Sequence, residues 1–153
     1  MNPSITRPTD VISLLGTIDP GSKAAGTVTS DYVDMSQVSS ICAILKTGLL
    51  GTAATVDAKL VQATAQAGTG KKDITGKAIT QIVKASGDNV QAEINCFSEE
   101  LDSDNSFRWV ALEVTVGAAA SVIDATILGY AHRYNPASDY NIASVAEIIP
   151  ALA

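Results

Sequence analysis

A single histidine in 153 residues excludes much of the chemistry that side chains perform. Structural zinc takes three or four converging ligands, and His132 with two cysteines, Cys42 and Cys96, falls short of a convincing set. No Gly-x-Ser-x-Gly segment accompanies His132, so Ser-His-Asp catalysis has little to build on. Cations are scarce too: 10 Lys and Arg face 16 Asp and Glu, for a formal charge of −6. Proteins that grip phosphate backbones displace counterions with clustered lysines and arginines, and no such cluster occurs here. Nucleic acid and anionic membrane surfaces are therefore not expected as partners. No apolar run reaches the ~20 residues of a spanning helix. The opening MNPSITRPTD lacks a cationic segment followed by an apolar one, so a secretory signal is not expected and synthesis in a cytoplasm is. Neither an enzyme nor a cofactor is expected.

What the chain does contain is material for a core. Hydrophobic residues make up 46% and charged residues 17%, which suits one folded domain and not a disordered tail. Valine, isoleucine and threonine are abundant, and their branched Cβ fits a pleated surface. Short segments alternate apolar and polar residues between turn signals. In VQAEINCF (90–97), Val90, Ala92, Ile94 and Cys96 face inward against Gln91, Glu93 and Asn95. Val110, Leu112, Val114 and Val116 do the same in 107–116, Val56, Ala58 and Leu60 in 52–65, and Ile123, Ala125, Ile127 and Ala131 in 121–134. Repeated period-two alternation predicts an all-β fold: a single antiparallel β-sandwich or jelly-roll-like domain with extended N- and C-terminal arms. Residues 1–24 form the N-terminal arm and first strand, 25–138 the sandwich, and 139–153 the C-terminal arm. Pro20-Gly21 reads as the turn that ends the first strand, VISLLGTI. Residues 78–85 fit either a strand or a turn of helix, and SVAEII near the C-terminus fits a short helix.

Two stretches imitate binding motifs. AQAGTGKKDITG (65–76) carries glycines and lysines like a phosphate loop. Aligned on that pattern, Ala65 stands where the first glycine belongs and Lys72 where the magnesium-holding hydroxyl belongs. Strand-like sequence follows it, so the amide dipoles of a helix N-terminus are missing. A hairpin turn accounts for the same residues, with lysines solvating its tip. The acidic run after Glu99 imitates a calcium loop, but Phe107 occupies the position that needs glycine. A solvated acidic loop is expected.

Large aromatics suggest a contact surface instead. Tyr130, His132 and Tyr134 alternate along one strand face, opposite Ile127 and Ala131, and Phe107 and Trp109 point away from the Val110–Val116 stripe. Such residues mark an interface, unless a second layer or the C-terminal arm covers them; a sugar platform is a third reading. Ile142, Val145, Ile148, Ile149 and Leu152 are poorly suited to a free tail, so the arm is expected to dock on its own domain or on a neighbouring subunit. The candidate interface is Phe107, Trp109, Tyr130, His132, Tyr134, Ile148, Ile149 and Leu152. Cys42 and Cys96 are either two buried thiols or a disulfide, and spacing does not decide.

The runs TVDAKLVQATAQAGTGKKDITGKAITQI, EELD, FRWVALEVTVGAAAS and ILGYAHRYNPAS resemble a family of small phage and prophage proteins whose genes lie beside the major capsid gene of tailed phages. The likeness covers about residues 25–138 and carries no catalytic residues. It implies a virion structural protein, foremost a capsid decoration (cement) protein. Such a protein would bind the outer surface of the major capsid protein lattice, as a homotrimer on the capsid exterior. A neck or tail component and a carbohydrate-binding adhesion module are the alternatives.

Overall fold

Residues 6–150 are described by a computed structural model of the chain. Its strands, in chain order, are β1 (Ile12–Lys23), β2 (Gly26–Thr29), β3 (Val33–Asp34), β4 (Val38–Thr47), β5 (Thr55–Ala63), β6 (Lys72–Ala78), β7 (Ile82–Val83), β8 (Gln91–Phe97), β9 (Trp109–Gly117) and β10 (Ser121–His132). Short helices occupy Pro8–Val11 and Lys84–Gly87. The first sheet runs β1-β10-β4-β8; the second runs β2-β9-β5-β6, with β3 beside β9 and β7 beside β5. Every pairing is antiparallel.

The order has a simple origin. β1 pairs β10, β2 and β3 pair β9, β4 pairs β8, and β5 pairs β6. These are the nested pairs of one long hairpin, rolled so that successive pairs fall alternately in the two sheets. With β2–β3 and β6–β7 each counted as one interrupted strand, this is the eight-stranded jelly roll. The tip of that hairpin is the glycine turn. Thr64 N–H donates to Thr69 O at 3.0 Å and Gly68 N–H to Ala65 O at 2.9 Å, with Gly68 at φ +79° and Gly70 at +65°. A side chain on Gly68 would also meet the Tyr32 hydroxyl at 2.7 Å. β6 follows directly, so the phosphate-loop resemblance ends in a hairpin. Its lysines do more than solvate the tip: Lys71 pairs with Glu113 and Lys72 with Asp102.

The core lies between the sheets and is built from the alternation. Val56, Ala58 and Leu60 of β5 stand opposite Val116, Val114 and Leu112 of β9, all buried. Ile123, Ala125 and Ile127 line β10, and Ile41, Ala43 and Leu45 line β4. Each large apolar side chain so removed from water contributes about 1.5–3 kcal/mol.

Three local expectations are corrected. β1 does not end at Pro20-Gly21; it continues to Lys23, with a register shift between Ile18 and Gly21. β1 is an edge strand, where a bulge absorbs proline and no interior ladder bond is lost. SVAEII forms no helix, and residues 78–85 divide between the end of β6, β7 and a helical turn. Ala131 is exposed, not inward, and sits at φ +57°. That left-handed residue breaks the two-residue period at the end of β10.

Both cysteines are free, and register explains why. Cys42 stands opposite Asn95, and Cys96 opposite Ile41, so the two thiols emerge on opposite faces of the first sheet. Cys96 faces the core, where burial pushes its thiol up to about 11; burial also raises Cys42, and Glu93 adds to the rise. A thiol reagent should therefore modify Cys42 slowly in the native protein and Cys96 only after unfolding. Two equally fast thiols, or none after denaturation without reductant, would contradict this register.

Candidate functional site

Cross-strand register builds one continuous surface on the outer face of the first sheet. Ile12, Tyr130, Ser40 and Phe97 form a row across all four strands, each opposite the next. The adjacent outward row is Leu14, Leu128, Cys42 and Asn95. Further along come Thr17, Thr126, Ile44 and Glu93, then Asp124, Lys46 and Gln91. The outer face is thus apolar at one end and polar at the other. At the apolar end Tyr130 is 58% exposed, Phe97 55% and Ile12 39%. A groove of about 330 Å³ runs between Ile12, Cys42, Phe97, Leu128 and Tyr130. Ile12 and Leu128 also line a second groove, of about 370 Å³, bounded by Val145, Ile148 and Ile149 of the C-terminal arm.

The arm reaches this position by docking on its own domain. Leu14 N–H donates to Asn141 Oδ1 at 2.8 Å, and Ile142 N–H to Leu14 O at 2.9 Å. These bonds serve the free edge of β1. Ile148 and Ile149 extend the apolar surface, Ile149 at 75% exposure. Leu152 lies outside the described residues.

The aromatic residues singled out from sequence do not share one face. Tyr130 belongs to the apolar row. Tyr134 lies past the end of β10, exposed beneath the Arg133 guanidinium, which is 5.8 Å from its ring. Phe107 and Trp109 are half-buried beside the second sheet, with Lys72 over Phe107 at 4.2 Å and Arg108 over Trp109 at 5.4 Å. Ile12 and Phe97, which complete the row, were not singled out. Alternation past Cys96 does turn Phe97 outward, but only pairing shows that Ile12 and Tyr130 share its row.

His132 is an internal clasp. Its Nε2 lies 2.5 Å from the Oγ of Ser13, which is buried, and its ring packs against Tyr140 at 5.0 Å. Nδ1 is buried and bonds no described residue, and desolvation lowers the pKa below the usual 6.5. A histidine that protonates more readily unfolded than folded withdraws stability as pH falls below 6.5. Asp88, Glu100 and Asp102, held low by Lys84, Lys77 and Lys72, add their losses at more acid pH. Unfolding midpoints should therefore drop between pH 7 and 5, and His132→Gln should flatten that slope while lowering the pH 7 value. A slope unchanged by the substitution would refute the clasp.

Charge is already committed internally. Seven of the ten cations pair with carboxylates: Lys46–Asp124, Lys59–Asp73, Lys71–Glu113, Lys72–Asp102, Lys77–Glu100, Lys84–Asp88 and Arg108–Asp34. The Lys71 ammonium stays protonated beyond its ordinary range because it hydrogen-bonds the buried Glu113 carboxylate. Among the described residues Arg7, Lys23 and Arg133 remain outside ion pairs, so the accessible surface is acidic. No group of three or more His, Cys, Asp or Glu converges among them as a metal site would. Two residues of the acidic loop, Glu100 and Asp102, answer lysines.

Fold and surface together define the class: a jelly-roll domain with one half-apolar sheet face and an arm along its edge. No protein-family model and no curated protein matches the sequence. Among solved structures, the chain is similar to one in the broad bean stain virus structure, at 10% identity and TM-score 0.40, over 100% of this chain and 96% of the other. It is similar to a chain of the cowpea mosaic virus empty particle at 13% identity and TM-score 0.39, over 99% and 92%. For infectious bursal disease virus, Gt strain, the values are 10% and 0.42, over 90% of this chain; the match spans 37% of that longer chain.

Proposed function

We propose that this protein is a bacteriophage virion structural protein: a capsid decoration (cement) protein that seats its first sheet on the outer surface of the major capsid protein lattice. The observation that carries the reading is the row Ile12, Tyr130, Ser40 and Phe97. Its large side chains stay exposed in the chain by itself, on a rigid sheet extended by Ile148 and Ile149. The sequence resemblance over residues 25–138 supplies the partner. A protein that binds the assembled lattice and not separated subunits stabilises the shell by mass action, and contacts repeated over a shell act multivalently. The acidic surface keeps it off nucleic acid during assembly. In the manner of the resembled family it acts as a trimer, and light scattering of the purified protein tests that; a monomer at working concentration counts against it.

The decisive test co-expresses the chain with its proposed partner, the major capsid protein of the same phage, and sediments the shells. Decoration predicts co-sedimentation at a copy number comparable to the shell subunit. A dozen-fold stoichiometry at one vertex would favour the neck or tail alternative. Absence from the particles would sink both.

A further inference from the structure

A second concavity, on the other sheet, has chemistry unlike the apolar row. Between the glycine turn and the loop entering β9 lies a cleft of about 460 Å³. Phe107 and Trp109 supply aromatic surface, and Thr64, Gln66, Ser103 and Ser106 supply neutral polar groups. Among the described residues no carboxylate lines it. Its one cation, Arg108, is engaged by Asp34 at 3.2 Å and by the Trp109 ring. The cleft thus offers neither free charge to an ion nor a continuous apolar wall to a protein side chain.

Both walls are held in place before any ligand arrives. Besides the bonds within the glycine turn, Ser106 N–H donates to Ser103 O at 2.9 Å and Phe107 N–H to Asp102 O at 3.1 Å. Arg108 N–H donates to Ala63 O at 3.2 Å, and Asp102 N–H to Gln62 Oε1 at 2.8 Å, tying the loop to β5. The Lys72–Asp102 pair joins the two walls. Thr64 uses its hydroxyl on Thr69 O, whereas the Gln66 amide and the Ser103 and Ser106 hydroxyls are exposed and bond no other described residue. Lys72 covers one face of Phe107 and Arg108 one face of Trp109. The aromatic surface that still lines the cleft accepts the C–H surface of a pyranose, while preorganised amide and hydroxyl groups meet its hydroxyls at little ordering cost.

We propose that this cleft binds neutral oligosaccharide. The site is separate from the apolar row, so the capsid reading and this one stand or fall independently. Trp109 is the sole tryptophan, which makes its fluorescence a direct reporter. The intact protein is titrated with maltohexaose, cellohexaose, chitohexaose and mannohexaose to about 10 mM. At least one should give a saturable change with Kd near 1 mM or tighter. Gln66→Ala with Ser103→Ala removes exposed side chains that brace nothing, so the thermal midpoint should hold while binding weakens about fivefold or more. Two results overturn the proposal: no saturable change with any of the four sugars, or a change undiminished in the double variant.

Discussion

Leu60→Ala should lower the unfolding free energy by about 3–4 kcal/mol, and the thermal midpoint by roughly 8–14 °C. Leu60 is fully buried and stands opposite Leu112, itself fully buried, at the centre of the β5–β9 ladder. Truncation removes the transfer energy of the isobutyl group and leaves a void. Collapse into that void is restricted, because β5 is locked to β9 through nine successive residue pairs and flanked by β6. Most of the cavity cost should therefore remain. The exposed Thr80, in the loop between β6 and β7 and with no side-chain hydrogen bond to a described residue, gives the control: Thr80→Ala should change stability by less than about 0.5 kcal/mol. Chemical denaturation of both variants checks this. A Leu60→Ala loss below about 1 kcal/mol would mean that the two sheets do not pack as described.

Phe97→Asp combined with Tyr130→Asp should weaken attachment to shells by about a hundredfold or more while leaving the monomer fold intact. Aromatic side chains at the centre of a contact carry a disproportionate share of its energy, with truncation costs of about 2 kcal/mol or more each. The aspartates add two charges that an apolar contact would have to desolvate. Because Phe97 and Tyr130 are more than half exposed in the chain itself, little folding energy rests on them. Co-sedimentation reports attachment and the unfolding midpoint reports the fold. Full attachment of this variant would remove the apolar row from the account.

The fold was legible because alternation is local. Residues 90–97, 110–116 and 121–127 declare their inward faces without reference to any neighbour, and two packed antiparallel sheets are the way to bury so many half-apolar strands. The departures have positional causes. Pro20-Gly21 has the composition of a turn, yet lies within β1 because an edge strand takes a proline at a bulge, where an interior strand would lose a ladder bond. Ala131 fits the stripe of Ile123, Ala125 and Ile127, but its positive φ ends the period and turns His132 toward Ser13. The contact surface was only partly legible. Tyr130, Ile148 and Ile149 stand out as large apolar side chains where polar ones are expected, but Ile12 and Phe97 meet them only through pairings between distant segments. The same holds for Lys71 and Lys72, whose carboxylate partners are 42 and 30 residues away.

Cys42 gives the most direct test of whether the first sheet is the working surface. It sits in the groove beneath Tyr130 and Phe97, while Cys96 is silent inside the core. Alkylation of Cys42 by a small maleimide is followed in the free protein and in protein attached to sedimented shells. Occupation of the apolar row predicts at least a tenfold slower reaction on the particle, against an unchanged rate when the protein is merely mixed with unassembled subunits. Equal rates for free and attached protein would show that the sheet face stays open on the particle, and that attachment uses some other surface.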